Sequence, residues 1–231
     1  LAASCQWPRN DRLDHWVAIS DTRITLRQAI DRQDYVTMPV FVNEWNKFRE
    51  DGRDQYFLHT VVQPKKPKPI TCSPDAAWLL SIEGLEEPFY LETDLGSSAP
   101  GQVCYRKFQG YDLLHSTDTY RTRHFPNLAY NNFKIVLITT SRYRRDRIAS
   151  LMKGKAGDQR WRFAAVDDVT ESTILHERIF VDCELKSHCL IKPPSTYVSS
   201  NLDVTLKRPT SHSPHSRNGS ATVIQPSGPT T

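Results

Sequence analysis

The spacing of apolar and polar positions divides the chain into a series of distinct elements. Trp16, Ile19, Ile24, Leu26 and Ile30 recur at near-helical intervals and predict a helix from about Asp11 to Asp31, with Arg23 and Arg27 on another face. Around Met38 to Glu44 the period shortens to two, Val40 and Val42 alternating with Phe41 and Asn43, which predicts a strand before a polar stretch through Gly52. Tyr56 to Val62 reads as another strand. Pro64 to Pro69, with three prolines and three lysines, reads as a basic loop. Ala76 to Ile82 and Phe89 to Leu95 are apolar strands separated by the turn-like stretch Glu83 to Pro88, and the Gly96 to Gly101 turn closes the second. A helix from about Gln102 to Asp118 turns Val103, Phe108, Tyr111 and Leu114 inward. Phe133 to Thr140 is β-branched and apolar throughout, the pattern of a strand buried on both faces. A basic helix from Tyr143 to Met152, a strand from Arg160 to Val166 and a short helix from Thr170 lead to the apolar Ile179, Phe180 and Val181.

That order, a helix, three strands, a helix and a buried strand, predicts an α/β fold with a central mixed sheet flanked by helices. From Pro193 the composition collapses into Ser, Thr, Pro and Asn, so residues 193–231 are expected to be a disordered tail and 11–192 the α/β domain. With 231 residues, 38% hydrophobic and 24% charged, the chain can bury one good core. No apolar run approaches the roughly 20 residues that cross a bilayer, and Leu1 to Asn10 lack the basic and apolar regions of a signal peptide. The chain opens at Leu1 rather than Met, which leaves room for an upstream domain with residues 1–10 as its junction. Cys5, Cys72, Cys104, Cys183 and Cys189 are odd in number, irregularly spaced and without a CxxC pair, as expected of reduced thiols in the cytoplasm. Cys183, His188, Cys189 and His176 together match no zinc-knuckle or ribbon spacing.

Candidate chemistry sits in the two central apolar strands. Asp75 follows Pro74 at the head of one, and Glu92 and Asp94 lie near the end of the next. Acids are rare in buried strands unless they are paired or hold a cation, so three of them at adjacent strand ends make an economical hard-metal site. The competing reading, in which Asp75 merely opens a strand and Glu92 and Asp94 line a solvated edge, stays open. A second concentration of charge follows the Phe133 strand. Arg142, Arg144, Arg145 and Arg147 crowd one short segment, Lys153 and Lys155 follow, and Tyr143 and Trp161 offer stacking surface. This cluster suits phosphate contact, although Asp146 lies within it and a solvated helix face is the alternative. Tyr111 reads as a core aromatic with a bonded hydroxyl. His115, His124 and His176 lack any HxH or HExxH spacing and read as surface or loop histidines.

The order of elements resembles the αβββαβ core of the PD-(D/E)XK nuclease superfamily, a restriction-endonuclease-like fold. Asp75 and Glu92 match its two acidic positions, and Asp94 stands where that superfamily usually keeps lysine. A closer resemblance spans roughly Asp14 to Cys183. The run His15 to Asp21 followed by Arg23 and Leu26, the Pro74-Asp75-Ala76 motif, Glu92 with Asp94, Lys107 with Tyr111, and the strand from Phe133 to Ser141 ending in an arginine helix are similar to the replication-relaxation family of plasmid and mobile-element proteins. These resemblances imply that Asp75 and Glu92 hold Mg²⁺ or Mn²⁺ and that Lys107, from the helix, takes the place of the missing strand lysine. Glu44 is the nearest candidate for a further acidic ligand, and Asp94 is either a third ligand or the partner of Lys107 or Arg106. They also imply DNA, together with replication or relaxase proteins, as partners. Two functions follow as expectations: a metal-dependent endonuclease centred on Asp75, Glu92 and Lys107, or a nuclease fold without the chemistry that binds DNA or assembles a relaxosome.

Overall fold

The computed structural model describes residues 10–64, 68–126 and 128–192, and begins with helix α1 (Asn10–Ile30). Its buried stripe consists of Ile19, Leu26, Ala29 and Ile30. Ile24, expected on that stripe, is exposed with Leu13 and Val17, because two residues before Leu26 is roughly 200° around the helix axis. Strand β1 (Val36–Asn43) follows, and then two small hairpins, β2 (Lys47–Glu50) with β3 (Arg53–Tyr56) and β4 (Thr60–Gln63) with β5 (Ile70–Cys72). The expected strand Tyr56 to Val62 is therefore broken, and the break is a tight turn in which the His59 amide donates to the Tyr56 carbonyl at 3.3 Å. The β2–β3 hairpin lies in the polar stretch where no strand was expected. Its two-residue loop, Asp51-Gly52, has φ of 49° and 74°, the left-handed pair that matches strand twist.

Strands β6 (Ala76–Ile82) and β7 (Leu85–Asp94) continue from β1 as an antiparallel meander. Helix α2 (Pro100–Ser116) then crosses to β8 (Lys134–Thr139), parallel to β7, and α3 (Arg142–Met152) crosses to β9 (Trp161–Ala165), parallel to β8. The short strands β10 (Phe180–Val181) and β11 (Ser187–His188) complete a seven-stranded mixed sheet of order β1-β6-β7-β8-β9-β10-β11. Residues 170–177 form turns instead of the expected helix. There the Thr173 hydroxyl donates to the Asp168 carbonyl at 2.6 Å, one of the side-chain bonds that compete with regular helix. The readings of a junction before residue 10 and of a disordered tail from 193 lie outside the described residues, Asn10 excepted. Among the described residues no helix is long and apolar enough to cross a membrane.

The sheet is buried on both faces, which is why its central strands read as continuous apolar runs. On one face Ile19 and Leu26 of α1 join Trp78, Phe89, Leu91, Val136 and Ile138 in one cluster. On the other, Tyr111 and Leu114 of α2 and Ile148 and Met152 of α3 join Tyr90, Ile135, Leu137 and Phe163. Helix α2 also lies close against β5. A Cβ added at Gly110 would stand 2.9 Å from the Thr71 carbonyl oxygen, so only glycine permits this approach. The face also contains His124, expected at the surface but buried between the Thr60 hydroxyl at 3.0 Å and the Tyr90 hydroxyl at 2.7 Å. Burial holds its imidazole neutral, with the pKa lowered to about 3.

Candidate metal centre

Strand register brings the acids together. Asn43 of β1 pairs with Ala76 of β6, and Ala76 pairs with Leu91 of β7. Glu44, Asp75 and Glu92 are each the neighbouring residue in that row, so three strands contribute one carboxylate apiece to the same end of the sheet. Backbone bonds fix the row: the Glu44 amide donates to the Asp75 carbonyl at 2.8 Å and the Asp75 amide to the Leu91 carbonyl at 3.1 Å. The Asp75 carboxylate accepts the Thr93 amide at 2.6 Å, which orients its other oxygen, Oδ1, toward the helices.

Two helices close over the row. Lys107 is in the second turn of α2, on the same face as Val103 and Tyr111. Its Nζ makes a short ion pair with Glu92 Oε2 and lies 3.7 Å from Asp75 Oδ1. Tyr111, one turn on, is buried and donates its hydroxyl to Glu92 Oε1 at 2.6 Å. From α1 comes His15, whose Nε2 is 3.3 Å from Asp75 Oδ1 and 4.0 Å from Glu44 Oε1. Its neighbour Trp16 donates Nε1–H to Glu44 Oε1 at 2.8 Å. His15, Glu44 and Asp75 each offer one ligand atom within 4.8 Å of the others, and among the described residues they are the group so arranged. The cleft outside them has a volume of about 320 Å³, with His15, Glu44, Glu92 and Lys107 in its walls.

The electrostatics follow from burial and charge count. Burial pushes the Glu92 carboxyl up to about 7, against the attraction of Lys107 and with the repulsion of Asp75. The hydrogen bond and charge of Asp75 raise the His15 pKa despite its desolvation. Desolvation works against the Lys107 ammonium, but the charges of Glu92 and Asp75 outweigh it and raise its pKa. Three carboxylates thus gather around the Lys107 ammonium and the His15 imidazole, with Arg12 also in the cleft wall.

Asp94, the other acid of β7, is engaged elsewhere. Arg144 of α3 reaches it through Nε at 2.5 Å and Nη2 at 2.9 Å, and Thr139 donates to it at 2.7 Å. Burial would push this carboxyl up, but the bonds from Arg144 and Thr139 prevail and lower it. It therefore stands outside the His15–Glu44–Asp75 group, with Arg144 in the role expected of Lys107 or Arg106. The basic segment is likewise committed in part. Arg142 donates to Asp168 at 3.0 Å, and Arg145 bonds Asp146 at 2.7 Å and lies 3.6 Å from Asp168. Arg147, Lys153 and Lys155 are exposed. The cysteine and histidine residues near the end of the domain do not converge: His188 bonds Asp182 at 2.8 Å, His176 bonds Tyr35 at 2.7 Å, and the Cys183 thiol is buried.

The sequence assigns neither His15 nor Trp16 a role at this site: His15 stands out only within the family resemblance, and Trp16 only there and as one member of the apolar face of α1. The signal for His15 is positional. It lies at i, with Ile19, Thr22, Leu26 and Ala29 at i+4, i+7, i+11 and i+14, so it extends the buried stripe of α1 one turn past the core.

A mixed α/β sheet with a carboxylate row at one end, a lysine from one flanking helix and a histidine from the other defines the class of protein to which this chain conforms. The model of the replication-relaxation family matches residues 2–128, more than half of the 231 residues, and the chain belongs to that family. That membership supports a role in the replication or mobilisation of plasmids or mobile elements. Comparison with curated proteins and with solved structures gives no match.

Proposed function

We propose that this chain acts on DNA phosphodiesters through a metal-dependent nuclease centre of the PD-(D/E)XK type, in the service of plasmid or mobile-element replication or mobilisation. The observation that carries this reading is the convergence of Asp75, just before β6, with Glu92 of β7 and Lys107 of α2, the last two in the wall of an open cleft. The order α1, β1, β6, β7, α2, β8, with an antiparallel meander followed by a parallel strand, supports a restriction-endonuclease-like core. The donor set fits a hard divalent cation. Asp75 and Glu44 supply oxygens, which suit Mg²⁺ or Mn²⁺, Glu92 stands beside them, and the His15 nitrogen favours Mn²⁺ over Mg²⁺. Such an ion, when bound, supplies Lewis acidity and an activated water. Lys107, anchored by Glu92, is the cation suited to meet negative charge on a phosphoryl oxygen. Tyr111 holds Glu92 in place, and Arg147, Lys153 and Lys155 provide exposed positive charge for a phosphate backbone.

A second reading has its own observation. Lys107 already spans Asp75 and Glu92, and Arg142, Arg144 and Arg145 are paired within the chain, as in a fold that keeps its acids for structure and holds DNA or replication and relaxase proteins without cutting. Calorimetry with Mn²⁺ and nicking of supercoiled plasmid, on wild type, Asp75→Ala and Glu92→Ala, separate the two. The nuclease reading expects heat and nicking in the wild type and loss of nicking in both variants, with Lys107→Ala lowering nicking at least a hundredfold, on the order of an electrostatic catalytic group. Salt-sensitive DNA binding with neither heat nor nicking selects the scaffold.

A further inference from the structure

Glu44 forms the wall of a second cleft. On its far side lies a hollow of about 250 Å³ whose walls include Trp16, Trp45, Tyr56, His59 and Pro74, and which shares Arg12 and Glu44 with the acidic cleft. Trp45 is 36% and Tyr56 51% exposed, unusual accessibility for two large aromatic side chains in one hollow. Both are held in place. Trp45 sits in the turn after β1, where the Asn46 amide donates to the Asn43 carbonyl at 3.0 Å and the Asn46 side chain accepts the Asn43 amide at 2.7 Å. Its ring meets Trp16 edge to face, centroids 5.7 Å apart. Tyr56 ends β3, opposite Lys47 in register, and the Lys47 ammonium lies 5.1 Å from its ring centroid.

These features define a ligand chemistry. The Trp16 N–H is spent on Glu44, so what this indole pair offers is mainly ring surface, with the Arg12 side chain in the same wall and the Lys47 ammonium over the Tyr56 ring. Flat aromatic ligands flanked by negative charge fit such a surface, and base stacking on aromatic side chains beside a basic residue is how unpaired nucleic acid is held without reading its sequence. In a duplex the faces of each base are covered by its neighbours, so only an unpaired nucleotide can use the hollow. A single strand also provides the required adjacency, since each base lies next to its own phosphate and the two clefts meet at Arg12 and Glu44.

We infer that the Trp45–Tyr56 hollow is a stacking site for an unpaired base of the strand whose phosphate approaches the Glu44–Asp75–Glu92 row, which makes single-stranded DNA, or a single-stranded flank, the substrate class. The inference rests on the phosphodiester reading of that row. The test uses the full chain in EDTA and measures the anisotropy of a fluorescein-labelled oligothymidylate, an abasic strand of the same length and a blunt duplex. The wild type binds the oligothymidylate tightest. Trp45→Ala and Tyr56→Ala each weaken that binding about tenfold and leave the abasic strand unchanged, while Trp45→Phe, which keeps a stacking ring, retains most of the affinity. Equal binding of oligothymidylate and abasic strand by the wild type overturns the inference. So does wild-type affinity in both alanine variants, or displacement of the oligonucleotide by a proline-rich peptide but not by unlabelled oligothymidylate. Calorimetry with Mn²⁺ alone judges the acidic row separately. Base-dependent binding without Mn²⁺ heat upholds the stacking site and removes the nuclease reading, and Mn²⁺ heat without base dependence does the reverse.

Discussion

Glu92 and Asp94 stand two residues apart on β7, both buried and both on the face covered by α2 and α3, yet their carboxyls shift in opposite directions. Asp94 has a guanidinium fork, a threonine hydroxyl and the Gly96 amide, enough donors to occupy both oxygens, and remains ionised. Glu92 has one ammonium, shared with Asp75, and one phenol, and burial prevails. The difference shows that burial alone does not decide the fate of an acid in a strand; the number of donors reaching it does. The Arg144 corner is electrostatically complete and reads as structure. The Glu92 corner has fewer donors, is raised toward neutrality by burial, and opens onto a cleft.

The largest effect should come from opening the completed corner. Arg144→Ala strands a buried carboxylate and should cost about 3 to 5 kcal/mol, measured as a fall in the urea midpoint at neutral pH. The lowered Asp94 carboxyl contributes stability that is present above its unfolded value of 3.8 and is lost as pH falls through the folded value. In Arg144→Ala that acid-side loss should shrink. Glu92 behaves in the opposite sense. Its carboxyl rises from 4.5 to about 7 on folding, so the native state holds a proton the unfolded chain releases, and stability should fall between about pH 4.5 and 7 and then level off. The fall is up to about 3 kcal/mol, and urea titrations in EDTA should show it flattened in Glu92→Gln. His15, raised by Asp75, adds a loss of stability as pH climbs from 6.5 through its folded value, and this part should persist in Glu92→Gln. Tyr111→Phe should be the mildest, about 1 to 2 kcal/mol, because it removes a single bond to a carboxylate. It should also move the Glu92 window to higher pH, since that bond favours the ionised form.

The contrast between the two corners also explains what the sequence could disclose. Strands β6, β7 and β8 were legible because both faces are covered and their residues form unbroken apolar runs. In such runs Asp75 and Glu92 stood out as anomalies, whereas Lys107 was singled out only by the family resemblance. The β2–β3 hairpin was illegible because its described residues are mostly exposed, leaving no alternation to read. The Asp94–Arg144 pair was illegible for another reason. Its partners lie 50 residues apart, and only the parallel β7–α2–β8–α3 path brings them together, so Asp94 looked like a third ligand and Arg144 like a phosphate contact. His15 carried a signal in its helical phase, but a histidine one turn beyond an apolar stripe is a weak mark without the sheet end it faces.

Gly110 has a consequence for the manufacture of the site as well as for its packing. Lys107 and Tyr111 flank it on α2, so the gap between that helix and the Thr71–Cys72 backbone sets how far the lysine and the phenol stand from Glu92. The absent methyl group acts as a spacer of zero thickness. Any side chain at this position would act as a shim, lifting both groups by the same increment and detuning the pair together. The tolerance of the Glu92 corner is therefore machined into a residue that touches none of its charges.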